Sequence, residues 1–139
     1  MTDKPDLIFA ATTPVAIAVT KATKLNKIPV VFGPVNDPVS VGIVKEQRHP
    51  GENVTGVMLT DSTAKELEWA IKIAPRIKKI LLPYNPNDKS SVISMQKARD
   101  AVKMFNLTLD AREVRTHKEI DALLTTFPDG VDAIFLPRD

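Results

Sequence analysis

The 139-residue sequence contains no cysteine, which excludes disulfides, thiolate metal sites and thiol catalysis. Its two histidines, His49 and His117, fall in a turn and at a helix start. Neither has a serine or acid at triad spacing, and two histidines without a third ligand make a poor metal site. Both are expected at the surface. Aromatic residues make up only 5% of the chain, too few for the mixed basic and aromatic surface of a nucleic-acid binder. The net charge of +2 arises from interspersed Lys, Arg, Asp and Glu, with Lys78-Lys79 set against an expected strand. Glycine is scarce, and neither Gly33 nor Gly42 belongs to a phosphate-binding fingerprint. No apolar run approaches the ~20 residues that span a bilayer. The opening MTDKPDLIF has no apolar signal-peptide core. The chain is therefore expected to be cytosolic, or an excerpt whose export signal lies elsewhere.

What is present suits an ordinary globular domain: 43% apolar and 26% charged residues, and enough length to bury a core. Strands are expected at 6–11, 28–32, 53–59, 79–83, 107–114 and 131–136. Between them, Thr13-Pro14 opens a helix to about Lys24 that is apolar around most of its circumference and so expected to be well buried. Asp37-Pro38 repeats the device and predicts a short helix to about Val44. Thr63 to Glu66 and Thr116 to Glu119 read as capping boxes. They precede Leu67, Ala70, Ile71, Ala74 and Ile120, Leu123, Leu124, Phe127 at helical spacing. Ser90 or Ser91 opens a helix whose inner face is Ala98, Ala101, Val102 and Phe105. Trp69, among Glu66, Glu68 and Lys72, reads as a half-buried packing residue.

Strands alternating with helices imply an α/β fold with a mostly parallel sheet. A boundary near 60–63 divides the chain into residues 1–60 and 61–139, each with about three strands. Residues 28 to 59, IPVVFGPVNDPVSVGIVKEQRHPGENVTGVML, are the most informative stretch. They place a polar loop and a helix start at the carboxyl end of a strand, where ligands bind in open α/β sheets.

The strings Thr12-Thr13-Pro14-Val15-Ala16, Pro29-Val30-Val31-Phe32, Asn36-Asp37-Pro38-Val39, Pro50-Gly51-Glu52-Asn53-Val54-Thr55-Gly56-Val57 and Tyr84-Asn85-Pro86-Asn87 resemble, in order and spacing, the ABC-transporter substrate-binding family that includes tryptophan- and tyrosine-binding proteins. The DPV…PGxNVTGV element is the specific part. The resemblance implies three-layer α/β lobes of the periplasmic-binding-protein-like (type I) class with a ligand held between two of them. Residues 1–60 would be the later part of the first lobe and 61–139 the earlier part of the second. It also implies an aromatic or other amino acid as ligand, a permease partner for the full-length protein, a periplasmic or extracellular membrane-associated location, and neither cofactor nor catalysis. Uncovered strand edges invite association, so a homodimer of this segment is a further expectation.

Eight residues are candidates for the ligand site. Thr12 and Thr13, at a strand end and helix N-terminus, offer hydroxyls and backbone N–H groups to a carboxylate; helix capping alone explains them equally. Asp37 either caps its own helix or faces a ligand ammonium, and its lone pairs allow both. Tyr84, Asn85, Ser90 and Ser91 surround the turn after the fourth strand, although Asn-Pro-Asn favours a turn in any protein. Asp139 follows the last strand. The readings left beside a transport binder are a sensory domain outside a membrane, a small α/β enzyme or receiver, and an assembly fragment. A receiver needs an acidic cluster after its first strand, where this chain has Ala10-Ala11-Thr12.

Overall fold

The computed structural model describes residues 4–59 and 61–136. The chain divides into two compact units, with the break between residues 60 and 61. In the first, β1 (Ile8–Ala10), β2 (Val30–Asn36) and β3 (Val54–Leu59) form a parallel sheet in the order β1-β2-β3, with α1 (Thr13–Ala22) joining the first two strands. In the second, β4 (Lys79–Tyr84) is central and pairs in parallel with β5 (Thr108–Glu113) and β6 (Ala133–Ile134). Helices α2 (Thr63–Ile73), α3 (Lys89–Met104) and α4 (His117–Thr125) alternate with these strands. The α/β class with parallel strands is therefore observed.

In the first unit, Gly51, Asn53, Val54 and Gly56 of the PGxNVTGV element each have a structural task. Gly51 adopts φ +77°, a left-handed conformation that glycine takes without strain. The Asn53 amide donates to the Thr23 hydroxyl at 3.1 Å and to the Ile28 carbonyl at 2.7 Å, tying the end of α1 to the approaches of β2 and β3. Gly56 lies opposite Phe32, and a Cβ there would stand 2.1 Å from the Phe32 carbonyl oxygen. Val30, Phe32, Val35 and Val54 are buried beside them.

Two expectations for this unit fail. Residues 38–42 form turns rather than a helix. Val41 N–H reaches the Asp37 carbonyl as one helical turn, but the Ile43 and Val44 N–H groups both turn back to the Pro38 carbonyl, past Gly42 at φ +79°. The left-handed glycine ends the turn before a ladder can grow. Helix α1 is also less buried than its composition suggests, with only Thr13 and Ala16 buried and Val15 46% exposed. Its packing against β1 and β2 occupies one side of the helix, so apolar composition alone overstates its burial.

In the second unit, Leu67 of α2 meets the expected inner face of α3, whereas no residue of α4 is buried, and Leu124 and Phe127 of the apolar repeat expected there are 48% and 43% exposed. Leu67 of α2, Ile80 of β4, and Ala101 and Val102 of α3 form one cluster; Leu82, Met95 and Ala98 form another, with Tyr84 packed against it. Asn106 at φ +56°, with Leu107 N–H bonded to the Val102 carbonyl, ends α3 in a left-handed cap. The Thr116 box forms: its hydroxyl accepts from Glu119 N–H at 3.3 Å, while the Glu119 carboxylate takes the Arg115 N–H. Thr116→Ala should cost about 1 kcal/mol, the usual worth of a lost cap, read as a lower urea midpoint with an unchanged slope. The Thr63 box does not form. Ser62 is the N-cap residue without a side-chain capping bond, and its hydroxyl donates to Glu66 at 2.5 Å instead. Trp69 is 55% exposed, more than expected, with the Lys72 ammonium 4.9 Å from its ring centre.

Asp132 joins β6 to β4. Its Oδ2 accepts the N–H groups of Lys79 at 2.9 Å and Lys78 at 2.8 Å, and these bonds hold its carboxyl below the usual range. A depressed folded-state pKa gives stability that is fully present above the unfolded value, about 3.9, and lost as pH falls through the folded value. Asp132→Asn should therefore flatten the decline of stability below about pH 4, measured as urea midpoint against pH.

Candidate functional site

Each unit carries a polar rim at the carboxyl end of its strands. In the first, β1 ends at Ala10, and Thr12 turns the chain at φ 74°, ψ 152° into α1. That region is essentially glycine's, so a threonine held there stores strain. Thr12, not Thr13, is the N-cap residue, and it makes no side-chain capping bond. The Thr13 side chain is committed elsewhere: it is buried, and its hydroxyl accepts the N–H of Asn36 at 3.3 Å. This bond ties the start of α1 to the end of β2. Pro14 follows at the helix start, and the first turn contains no acidic residue. The positive end of the α1 dipole is thus left without a charged partner on its own helix.

One residue beyond Asn36, Asp37 also has a positive φ, 44°. Its carboxylate accepts from the Ser40 N–H at 3.1 Å and the Ser40 hydroxyl at 2.8 Å. The bonds aim the carboxylate at its own turn. Thr12, Thr13 and Asp37 therefore come together on two adjacent strand ends, with Asn36, which sequence reasoning passed over, as the link. Its only signal in the chain was the place immediately before the Asp-Pro pair.

In the second unit, Tyr84 closes β4 and donates through its hydroxyl to Glu113 at 3.3 Å while its ring lies against the core. The Asn85 side chain accepts the N–H of Asn87 at 3.0 Å, and Asn85's own N–H goes to the Ser91 hydroxyl at 3.0 Å. Ser90 and Ser91 are both buried. Neither opens α3: the N-cap is Asp88, whose carboxylate accepts from the Ser90 N–H at 2.8 Å. An acid placed just before a helical run is a strong capping signal, and here it outranks the serines. Tyr84, Asn85, Ser90 and Ser91 thus share one rim, formed by the turn between β4 and α3. Asp139 lies outside the described residues.

The two rims hold hydroxyls, amides, backbone N–H groups and the carboxylates of Asp37 and Asp88. His49 and His117 are exposed and belong to neither rim. Among the described residues no group of three or more His, Cys, Asp or Glu side chains could hold a metal ion. No helix among them is long and apolar enough to cross a membrane.

Residues 1–139 match the family described as ABC transporter substrate binding protein. The chain belongs to that family. Within it, the chain is 34% identical over 139 residues to a tyrosine-binding protein of Clostridioides difficile (strain R20291), covering all of this chain and 40% of that relative. It is similar to a Streptococcus pneumoniae ABC domain solved in complex with L-Trp, with a TM-score of 0.89 and 28% identity over 99% of this chain and 47% of that one. A branched-chain amino acid ABC transporter protein of Thermus thermophilus with bound valine has a TM-score of 0.60 over 96% of this chain and 34% of its own. At 14% identity, that likeness shows the fold alone. This chain spans less than half the length of each of the three.

Proposed function

We propose that this chain is part of the substrate-binding component of an ABC uptake system and holds an amino-acid-like solute without transforming it. Residues 1–60 are read as the later part of a first ligand-binding lobe and 61–139 as the earlier part of a second. The supporting observation is the gathering of Thr12, Thr13 and Asp37 on two adjacent strand ends, at a helix N-terminus with no acidic residue in its first turn. Helix-terminal N–H groups suit a carboxylate, and Asp37 suits an ammonium group; together these are the two charges of an amino acid. In the second unit, the rim around Asn85 and Ser91 carries amides and hydroxyls of the kind that fix orientation in ligand sites. The tyrosine and L-Trp named for the two relatives make an aromatic amino acid the first solute to test, with a membrane permease as partner of the full-length protein outside the cytoplasm.

The test is a thermal-shift screen of the full-length protein against the common amino acids and small carboxylates, with mass spectrometry before and after incubation. An aromatic amino acid at 100 times its dissociation constant should stabilise by about 2.7 kcal/mol and be recovered unchanged. A screen in which no amino acid raises the melting temperature would remove the reading.

A further inference from the structure

We infer a second binding site in the first unit, for a small apolar carboxylate that carries no amino group. A hollow of about 380 Å³ lies beside the C-terminal half of α1, lined by Thr20 and Lys21 from the helix, Lys24 from the turn after it, Ile43 to Lys45, and Pro50 with Glu52 to Val54. Its size falls within the range of ligand pockets. Because β1 leads into the N-terminus of α1 and the helix runs back along the sheet, its last turn sits at the amino ends of the strands. The hollow is therefore at the opposite edge from Thr12, Thr13 and Asp37, about 10 Å along the helix at 1.5 Å per residue.

Two observations define the occupant. First, three lysines face one carboxylate in the lining. Glu52 is held by Lys27 at 3.1 Å and Lys45 at 3.4 Å, while neither Lys21 nor Lys24 has an ion-pair partner among the described residues. Two lysine charges thus remain for an anion, and Glu52, already shared by two cations, is a poor partner for a ligand ammonium. Second, Ile43, Val44 and Val54 in the lining are buried apolar residues, with Pro50 half-buried beside them. A lysine in the last turn of a helix also complements the dipole, which explains Lys21 but neither Lys24 nor the apolar lining.

Isothermal titration of the full-length protein with hexanoate and 3-phenylpropionate, each beside its neutral amide, tests the site. At least one acid should bind saturably, and at least about tenfold more tightly than its amide, the worth of one charge-assisted bond. Lys21→Ala/Lys24→Ala should weaken that acid by a similar factor. Lys21 and Lys24 are exposed, so the double variant should keep the wild-type melting temperature. Lys21 and Lys24 belong to the hollow and not to the amino-acid rim, so the loss in the double variant separates the two sites. Equal affinity for acid and amide, no saturable binding of either acid, or an affinity untouched by the double lysine variant would each overturn the inference.

Discussion

Leu82→Ala is expected to destabilise the second unit by about 2–5 kcal/mol, the range for truncating a fully buried leucine. Leu82 is 0% exposed, in the central strand of its sheet, and packs with Met95 and Ala98 beneath the ring of Tyr84. Strands on both sides and α3 above leave little room for collapse around the gap, which places the cost toward the upper part of the range. For a unit of this size the loss should lower the melting temperature by at least about 10 °C. Because Tyr84 rests on the same cluster, the effect should extend to the Asn85 turn, read as faster amide hydrogen exchange at Asn85 and Asn87. Leu124→Ala is the control. Leu124 is exposed on α4, and its truncation should change stability by less than about 0.5 kcal/mol.

Gly56→Ala tests the first unit. The added Cβ would stand 2.1 Å from the Phe32 carbonyl oxygen and 2.5 Å from its ring. The first of these is backbone, fixed by the pairing of β2 and β3, so a rotamer change cannot relieve it. The strands must separate or shift register. Overpacking typically costs about 1–3 kcal/mol and occasionally more; a clash with sheet backbone belongs at or beyond the top of that range. Thr55→Ala, next in sequence and exposed, should be nearly neutral. Urea denaturation of the two variants side by side checks the contrast. Equal midpoints would mean that the glycine is not required by the sheet.

These two positions show how unevenly the structure was written in the chain. Leu82 lies in an apolar β4 run that reads as a buried strand without help, and α3 declares its inner face through Ala98, Ala101 and Val102. Such elements follow from local pattern because burial and periodicity agree. Gly56 stands out only as part of a motif; the reason for it, Phe32 across the sheet, is a contact 24 residues away that no local rule contains. The turn after Asp37 departs from its local pattern for a related reason. Asp-Pro is a sound helix start, but Gly42 and the double return of Ile43 and Val44 to the Pro38 carbonyl end it within a turn. In the site, residue types at strand ends were legible, because strand-helix alternation fixes which turns lie at the carboxyl edge. Their bonding was not. Thr13 spends its hydroxyl on Asn36 rather than on its own helix, and Asp88 takes the capping role expected of Ser90 or Ser91. Both depend on three-dimensional neighbours or on competition between adjacent caps.

On the function proposed above, the rim built from Thr12, Thr13 and Asp37 grips an amino acid by its two charges. The direct measurement is calorimetric titration of L-tryptophan and L-tyrosine into the full-length protein, wild type beside Thr13→Val and Asp37→Asn. Saturable one-to-one binding of at least one of them is expected, with affinity reduced about tenfold or more in each variant and the amino acid unchanged afterwards. Binding that both variants leave at wild-type strength would contradict the account.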